Sequence, residues 1–305
     1  MRPVASYDWQ TPDGATLHNQ VFGSDSADPE HSVVIVCGAF LPALVYAPFA
    51  TALVEQLGDH WAVHVYDRRG KGESSPVDDS YRFDTELDDV RTALRETHAH
   101  HLLGHSLGGS IVLHAVRSMA AGDDPLLPAT TTVYDPAINL DGSLDTSWLP
   151  KFQELVENRR WGRAMAVIEK VMGMSSTLSR APSWMVAGVM AVSVRTGLRG
   201  MSEAVFPAGV AELTAAFAEE ARASDFARMP PDLCILTGEK SADYFRATAE
   251  ALDREMPDAR LIVVRKGFHG SVPAVRHPIV KAFARWLLDE PMGDVALNDS
   301  AADTV

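Results

Sequence analysis

The sequence predicts an α/β fold: a mostly parallel central sheet with helices on both faces and an inserted helical cap. Three observations predict it. Short β-branched runs alternate with stretches of helical apolar spacing, the order that builds a parallel sheet covered on both faces. The alternation stops once, between 138 and 227, where only helical spacing is found. The residues able to do chemistry follow the predicted strands, where ligands of such sheets bind. The chain therefore divides into a core over 1–137 and 228–290, a cap over 138–227, and a small, acidic tail over 291–305 that is expected to be disordered.

Each element has its own signal. Ala5–Trp9 and Thr16–Phe22 are extended on either side of the turn Thr11-Pro12-Asp13-Gly14, which predicts a hairpin. Ser32–Cys37 contains Val33-Val34-Ile35-Val36, the composition of a strand buried on both faces. Tyr46–Leu57 has helical spacing, and Trp61–Tyr66 is the next strand, running into the tight polar turn Asp67–Ser74. Phe83–Glu96 carries Leu87, Val90 and Leu94 on one side, with acids early and Arg95 late, as a helix prefers. Leu102-Leu103 is a short apolar run before Gly104, a helix is predicted over Ser110–Met119, and Ala129–Tyr134 is a buried strand ending at Asp135-Pro136. Four cap helices are predicted over Leu149–Asn158, Trp161–Met172, Ser183–Thr196 and Ala208–Ala223. Alternation resumes with the strand Leu233–Thr237, the helix Tyr244–Met256, the strand Arg260–Val264 and the helix Pro278–Leu288.

Composition narrows the class of function. The 305 residues are 46% apolar and 22% charged, ordinary for a globular enzyme. A formal net charge of −14 argues against a nucleic-acid partner, which needs a basic face for phosphates. Residues 1–6 lack the apolar core of a secretory leader, and the longest uncharged apolar stretch, Ala181–Val194, is too short to span a bilayer. A cytoplasmic location and no membrane partner are expected. Cys37 and Cys234 fall in predicted core strands and read as packing residues rather than a disulfide. The histidines show no metal-ligand spacing, so no metal site is expected; His98, His100 and His101 read as a partly exposed loop.

One stretch carries most of the chemistry. Gly104-His105-Ser106-Leu107-Gly108 lies between a predicted strand and a predicted helix. A serine at the apex of such a turn adopts a strained backbone that pushes its hydroxyl outward, and flanking glycines let strand and helix approach. Ser106 is the candidate nucleophile. His105 and His114 read as structural, as does the Asp67-Arg68-Arg69-Gly70 turn. The cap is rich in Met165, Met172, Met174, Trp184, Met185 and Met190. Most of these should pack the cap, while some form an apolar, adaptable roof over Ser106. Phe40, Trp184 and Met185 are the expected substrate contacts.

These motifs resemble the α/β-hydrolase superfamily. The resemblance rests on Cys37-Gly38-Ala39-Phe40, Asp67-Arg68-Arg69-Gly70-Lys71-Gly72-Glu73-Ser74, the Ser106 turn and Gly267-Phe268-His269-Gly270, in that order. It covers about Ala5–Ile138 and Pro231–Leu288. It implies Ser106 as nucleophile, His269 as general base then acid, and backbone N–H groups of Leu107 and Ala39 as the oxyanion hole. Two departures stand out. Cys37 replaces the usual His before Gly38, and Ser241 replaces the usual acid in Gly238-Glu239-Lys240-Ser241. The resemblance then favours Asp135, in Tyr134-Asp135-Pro136-Ala137, as the acid, with Asp243 as the alternative. Cys37 as nucleophile is disfavoured, because no base stands beside it in sequence.

The implied activity is hydrolysis of a carboxylic ester or lactone of a hydrophobic small molecule through an acyl-enzyme, with no cofactor and no metal. C–C bond hydrolysis, acyl transfer, a perhydrolase activity and a non-catalytic ligand-binding role are the alternatives, and homo-oligomerisation stays open. Serine rather than aspartate at position 106 argues against dehalogenase or epoxide-hydrolase chemistry, which needs a carboxylate nucleophile.

Overall fold

The β-branched runs become strands of one eight-stranded sheet in the computed structural model, which describes residues 2–172, 177–230 and 232–297. In chain order the strands are β1 (Ala5–Gln10), β2 (Thr16–Gly23), β3 (Ser32–Val36), β4 (Ala62–Tyr66), β5 (His101–His105), β6 (Thr130–Tyr134), β7 (Asn139–Leu140), β8 (Glu220–Ala221), β9 (Leu233–Gly238) and β10 (Arg260–Val264). The main sheet runs β1-β2-β4-β3-β5-β6-β9-β10, antiparallel in its first two pairings and parallel thereafter. His101 starts β5 and is buried against Thr130, rather than lying in a loop, because the strand begins earlier than its apolar residues suggest.

Register brings the functional loops together. Val36 pairs with Gly104, His105 with Tyr134, and Tyr134 with Leu236. The carboxyl ends of β3, β5, β6 and β9 therefore lie side by side, and the residues that follow them leave the sheet along one edge.

Alternation along the strands sorts the two faces. Val33, Ile35 and Leu103 pack with α1 (Ala43–Leu57) and, further along the chain, the helix His277–Leu287. Val34, Val36 and Leu102 pack with α2 (Phe83–Thr97), α3 (Leu107–Ala121) and the helix Asp243–Glu255.

Between β6 and β9 the chain leaves the sheet as four helices, α4 (Leu149–Glu157), α5 (Trp161–Met172), α6 (Ser183–Ser193) and α7 (Arg199–Ala218). The core helices that follow are α8 (Asp243–Glu255) and α9 (His277–Leu287). β7 and β8 pair at the base of this excursion, Asn139 with Glu220 and Leu140 with Ala221, and hold its two ends together. α7 begins nine residues before the expected Ala208, at Arg199, with Pro207 inside it. Pro207 is exposed, so the helix tolerates the lost N–H with solvent at hand. α6 stops at Ser193, and a wider π turn at Val194–Leu198 joins it to α7.

The Asp67–Ser74 turn ties this helical excursion to α2. Arg68 is fully buried between Glu86 of α2 at 3.0 Å and Glu212 of α7 at 2.9 Å. Lys71 also bonds Glu212, and Arg69 bonds Asp89.

The expected disordered tail is ordered in its first part. Met292 and Val295 are buried, Arg265 N–H donates to the Val295 carbonyl at 2.8 Å, and Ala296 bridges to Val264. β10 is an edge strand with unpaired backbone groups, and this segment covers them. Residues 298–305 lie outside the described residues.

Candidate active site

Ser106 sits at the end of β5 with φ 57° and ψ −123°, a strained conformation for a residue with a Cβ. Its N–H donates to the Tyr134 carbonyl at 3.0 Å, and its own carbonyl accepts from Ala137 N–H at 3.0 Å. The turn is thus clamped to the end of β6. The glycines are sterically required: a Cβ on Gly104 would lie 2.5 Å from the Gly108 carbonyl oxygen, and one on Gly108 would lie 2.1 Å from that of Val36.

His269 follows β10 in a loop pinned by the Tyr134 hydroxyl, which donates to the Phe268 carbonyl at 2.8 Å. Its ring stacks on Phe245 of α8, centroids 4.0 Å apart and planes 9° from parallel. Its Nδ1 lies 3.4 Å from Asp135 Oδ2.

Asp135 is fully buried and accepts from several donors. Thr237 Oγ1 donates to Oδ1 at 2.8 Å, Gly238 N–H to Oδ1 at 3.3 Å, and Ser241 Oγ to Oδ2 at 2.5 Å. Ser241, which stands where the family resemblance leads one to expect the acid, thus solvates the carboxylate that lies beside His269. Asp243 is exposed at the first turn of α8 and makes no such approach.

A second chain of bonds, invisible in the sequence, runs behind these groups. Gly38 N–H donates to the Tyr46 hydroxyl at 2.8 Å, and Tyr46 Oη lies 2.6 Å from His105 Nδ1. His105 Nε2 lies 3.0 Å from the His269 carbonyl. The carbonyl can only accept, so Nε2 carries the proton and Nδ1 accepts from Tyr46. Burial holds His105 well below the ordinary histidine pKa, consistent with that neutral ring. Tyr46 and His105 thereby join the loop after β3, the Ser106 turn and the His269 loop. Tyr46 reads in sequence as one more apolar helix position.

Ser106, Leu107, Ala39, Phe40 and His269 line one cavity of about 190 Å³. Its cap side is apolar, with Met165, Met172, Met190 and Met201 beside Val205 and Phe206. Glu169, a buried acid on α5, also lines it; in the sequence it sits among the apolar positions of its helix, which hides it. Phe40 has φ 62° and wedges edge-on between Phe152 and Phe206. A Cβ on Gly209 would lie 2.1 Å from the Phe40 ring, so that contact needs glycine.

Trp184 and Met185, expected to contact substrate, lie outside the cavity and are 75% and 41% exposed. Helical rotation is the reason: Val186 and Met190 of α6 turn inward, which leaves 184 and 185 on the outside. Met174 lies outside the described residues. Cys37 is fully buried, and burial pushes its thiol pKa far up, which disfavours the nucleophilic thiolate. No group of three His, Cys, Asp or Glu among the described residues is placed to hold a metal ion.

The family model of the alpha/beta hydrolase family matches residues 33–284, most of the chain. The chain belongs to the alpha/beta hydrolase family. Solved structures share its fold. An alpha/beta hydrolase from Sphaerobacter thermophilus matches with a TM-score of 0.68 at 22% identity, covering 92% of this chain and 99% of that one. An esterase from Exiguobacterium antarcticum matches with a TM-score of 0.68 at 16% identity, covering 93% and 100%. A bromoperoxidase from Bacillus anthracis matches with a TM-score of 0.68 at 18% identity, covering 93% and 100%. No curated protein matches the chain.

Proposed function

We propose that this chain is a serine hydrolase that cleaves a carboxylic ester or lactone of a small hydrophobic molecule. The observation that carries the reading is the Asp135 carboxylate 3.4 Å from His269 Nδ1, with His269 and Ser106 lining one cavity.

Ser106 Oγ attacks the carbonyl carbon while His269 Nε2 takes its proton. Asp135 holds the tautomer with the proton on Nδ1 and stabilises the imidazolium. The oxyanion accepts from the N–H groups of Leu107 and Ala39. The Gly38 amide is committed to Tyr46, so Ala39 is the next amide that this loop can offer. His269 returns the proton to the leaving oxygen, the acyl-enzyme remains on Ser106, and water activated by His269 releases the acid. The apolar walls and the modest volume suit a compact, poorly hydrated acyl or alcohol group. A membership in this family and likeness to an esterase support hydrolysis, while the substrate class rests on the cavity's lining.

Labelling with a fluorophosphonate probe tests the reading. Wild type is expected to label at neutral pH, and Ser106→Ala to lose all labelling while keeping its thermal midpoint. Unlabelled wild type, with no turnover of short-chain p-nitrophenyl esters, refutes it.

A further inference from the structure

The outer face of α6 is apolar and unprotected. Trp184 is 75% exposed, Val192 59%, Val189 44% and Met185 41%, and Val186 is the helix's only buried residue. Helical spacing places 184, 185, 188 and 192 on one outward face, and Arg195 continues it into the π turn. Large apolar side chains gathered on one exposed face mark a contact surface.

Charge around this helix is reversed relative to the rest of the molecule. Residues 159–199 carry seven basic residues and one acid, the buried Glu169, in a chain whose net charge is −14. Five of the seven, Arg159, Arg160, Arg163, Arg195 and Arg199, line a single open groove beside α6. Helices α5 and α6 touch there: a Cβ on Gly162 would lie 2.8 Å from Ala191 Cα. That close approach brings arginines from two helices to one place. Arg199 pairs with Glu203 at 3.0 Å, and Arg159 also acts on that carboxylate from further away; among the described residues, Arg160, Arg163 and Arg195 make no ion pair.

We propose that the outer face of α6 and the adjoining arginine groove dock the protein onto an anionic lipid surface, with the helix lying along it. An exposed tryptophan with aliphatic neighbours and flanking arginines suits the boundary between head groups and acyl chains. A soluble polyanion would satisfy the arginines and leave Trp184 and Val192 in water. A second copy joined through α6 would bring the two arginine groups together. Because the rest of the chain carries the negative excess, an anionic surface repels it and orients the cap inward.

Among the described residues no helix is long and apolar enough to cross a membrane, and α6 has 11 residues. Stretch length led to the expectation of no membrane partner, and surface docking departs from that expectation. The other side of α6 matters too: Met190 lines the cavity. One helix thus separates the lipid layer from the Ser106 cavity. Docking itself is independent of the proposed hydrolysis and is read without turnover.

Flotation of the full chain with vesicles tests the proposal. Binding is expected to vesicles of phosphatidylglycerol and phosphatidylcholine, and to be absent with phosphatidylcholine alone. Each surface arginine contributes about a fivefold factor, so the triple change Arg160→Gln, Arg163→Gln and Arg195→Gln weakens binding on the order of 100-fold. The pair Trp184→Ser and Val192→Ser weakens it by about tenfold or more. Both variants alter exposed residues and should keep the wild-type thermal midpoint. Vesicles should also shift tryptophan emission to the blue, a shift missing in Trp184→Phe. The proposal is overturned by no binding to anionic vesicles, by binding that neither variant weakens, or by a dimer that Trp184→Ser with Val192→Ser dissociates. Capture of inorganic polyphosphate without vesicle binding overturns it as well.

Discussion

Replacing Asp135 by Asn keeps the side chain's shape and removes its charge, and the hydrogen bonds around it show what that costs. The carboxylate accepts from Thr237 Oγ1, Gly238 N–H, Ser241 Oγ and His269 Nδ1. An Asn amide can point its nitrogen either way. With nitrogen at the Oδ2 place, Ser241 can turn to accept, but His269 must present a bare Nδ1. Its proton then sits on Nε2, leaving a donor where the proposed proton transfer from Ser106 needs an acceptor. With nitrogen at the Oδ1 place, Thr237 can turn, but the amide opposes the fixed Gly238 N–H. That orientation keeps the tautomer, yet no charge remains to stabilise the imidazolium. Both orientations lower turnover, and the expected fall in kcat/KM is about 10³- to 10⁴-fold, about 4–5 kcal/mol of transition-state stabilisation. Hydrolysis of p-nitrophenyl acetate and butyrate by Asp135→Asn measures it, with the thermal midpoint as a check on folding. Asp243→Asn, at an exposed helix start, should stay within about threefold of wild type. If Asp135→Asn keeps more than a tenth of wild-type activity, or Asp243→Asn falls as far, the assignment of Asp135 as the partner of His269 is wrong.

Three other perturbations follow from the buried groups. Tyr46→Phe removes the hydroxyl shared by Gly38 and His105. It should cost about 1–3 kcal/mol of stability and lower kcat by roughly tenfold with KM little changed; a mutant with reduced stability and unaltered kcat would show that the relay does not position the site. Glu212→Gln leaves Arg68 and Lys71 short of a counter-charge inside the protein. Denaturant unfolding should show a loss of about 3–5 kcal/mol, and a loss under 1 kcal/mol would mean that the cap does not depend on this pair. His114 lies between Phe83 and Phe226, and burial lowers its pKa to about 4. The folded state holds it neutral, so its stability contribution is complete above about pH 6.5 and is lost as pH falls toward 4. Between pH 7 and pH 5 that loss is about 2 kcal/mol, and His114→Leu should remove it. Equal losses in wild type and variant over that interval would contradict the burial argument.

Local rules reach some parts of this molecule and stop at others. The β-branched run at Val33–Val36 could only be a strand buried on both faces, and it is. The glycines at 104 and 108 are required by backbone contacts within the same turn, or with the strand beside it, so their meaning is local. The start of α7 was not legible, because Pro207 is a helix breaker by intrinsic preference and only its exposure makes it tolerable. The order of residues 291–297 was hidden in the same way. Their composition is that of a tail, and it is the open edge of β10 that gives them something to pair with.

What the chain alone determined is everything set by neighbours a few residues apart: the alternation of strands and helices, the break at the cap, the strained turn at Ser106 and the order in which Ser106, Asp135 and His269 occur. What the tertiary structure decided is which of these meet. Asp135 and His269 are 134 positions apart, Ser241 and Asp135 are 106 apart, and Tyr46 and His105 are 59 apart. No periodicity spans such distances. They are brought together by the parallel register that aligns the ends of β3, β5, β6 and β9. The rotation of α6 likewise set Met190 inside and Trp184 outside, a choice that an apolar helix leaves open until it has a core to turn toward.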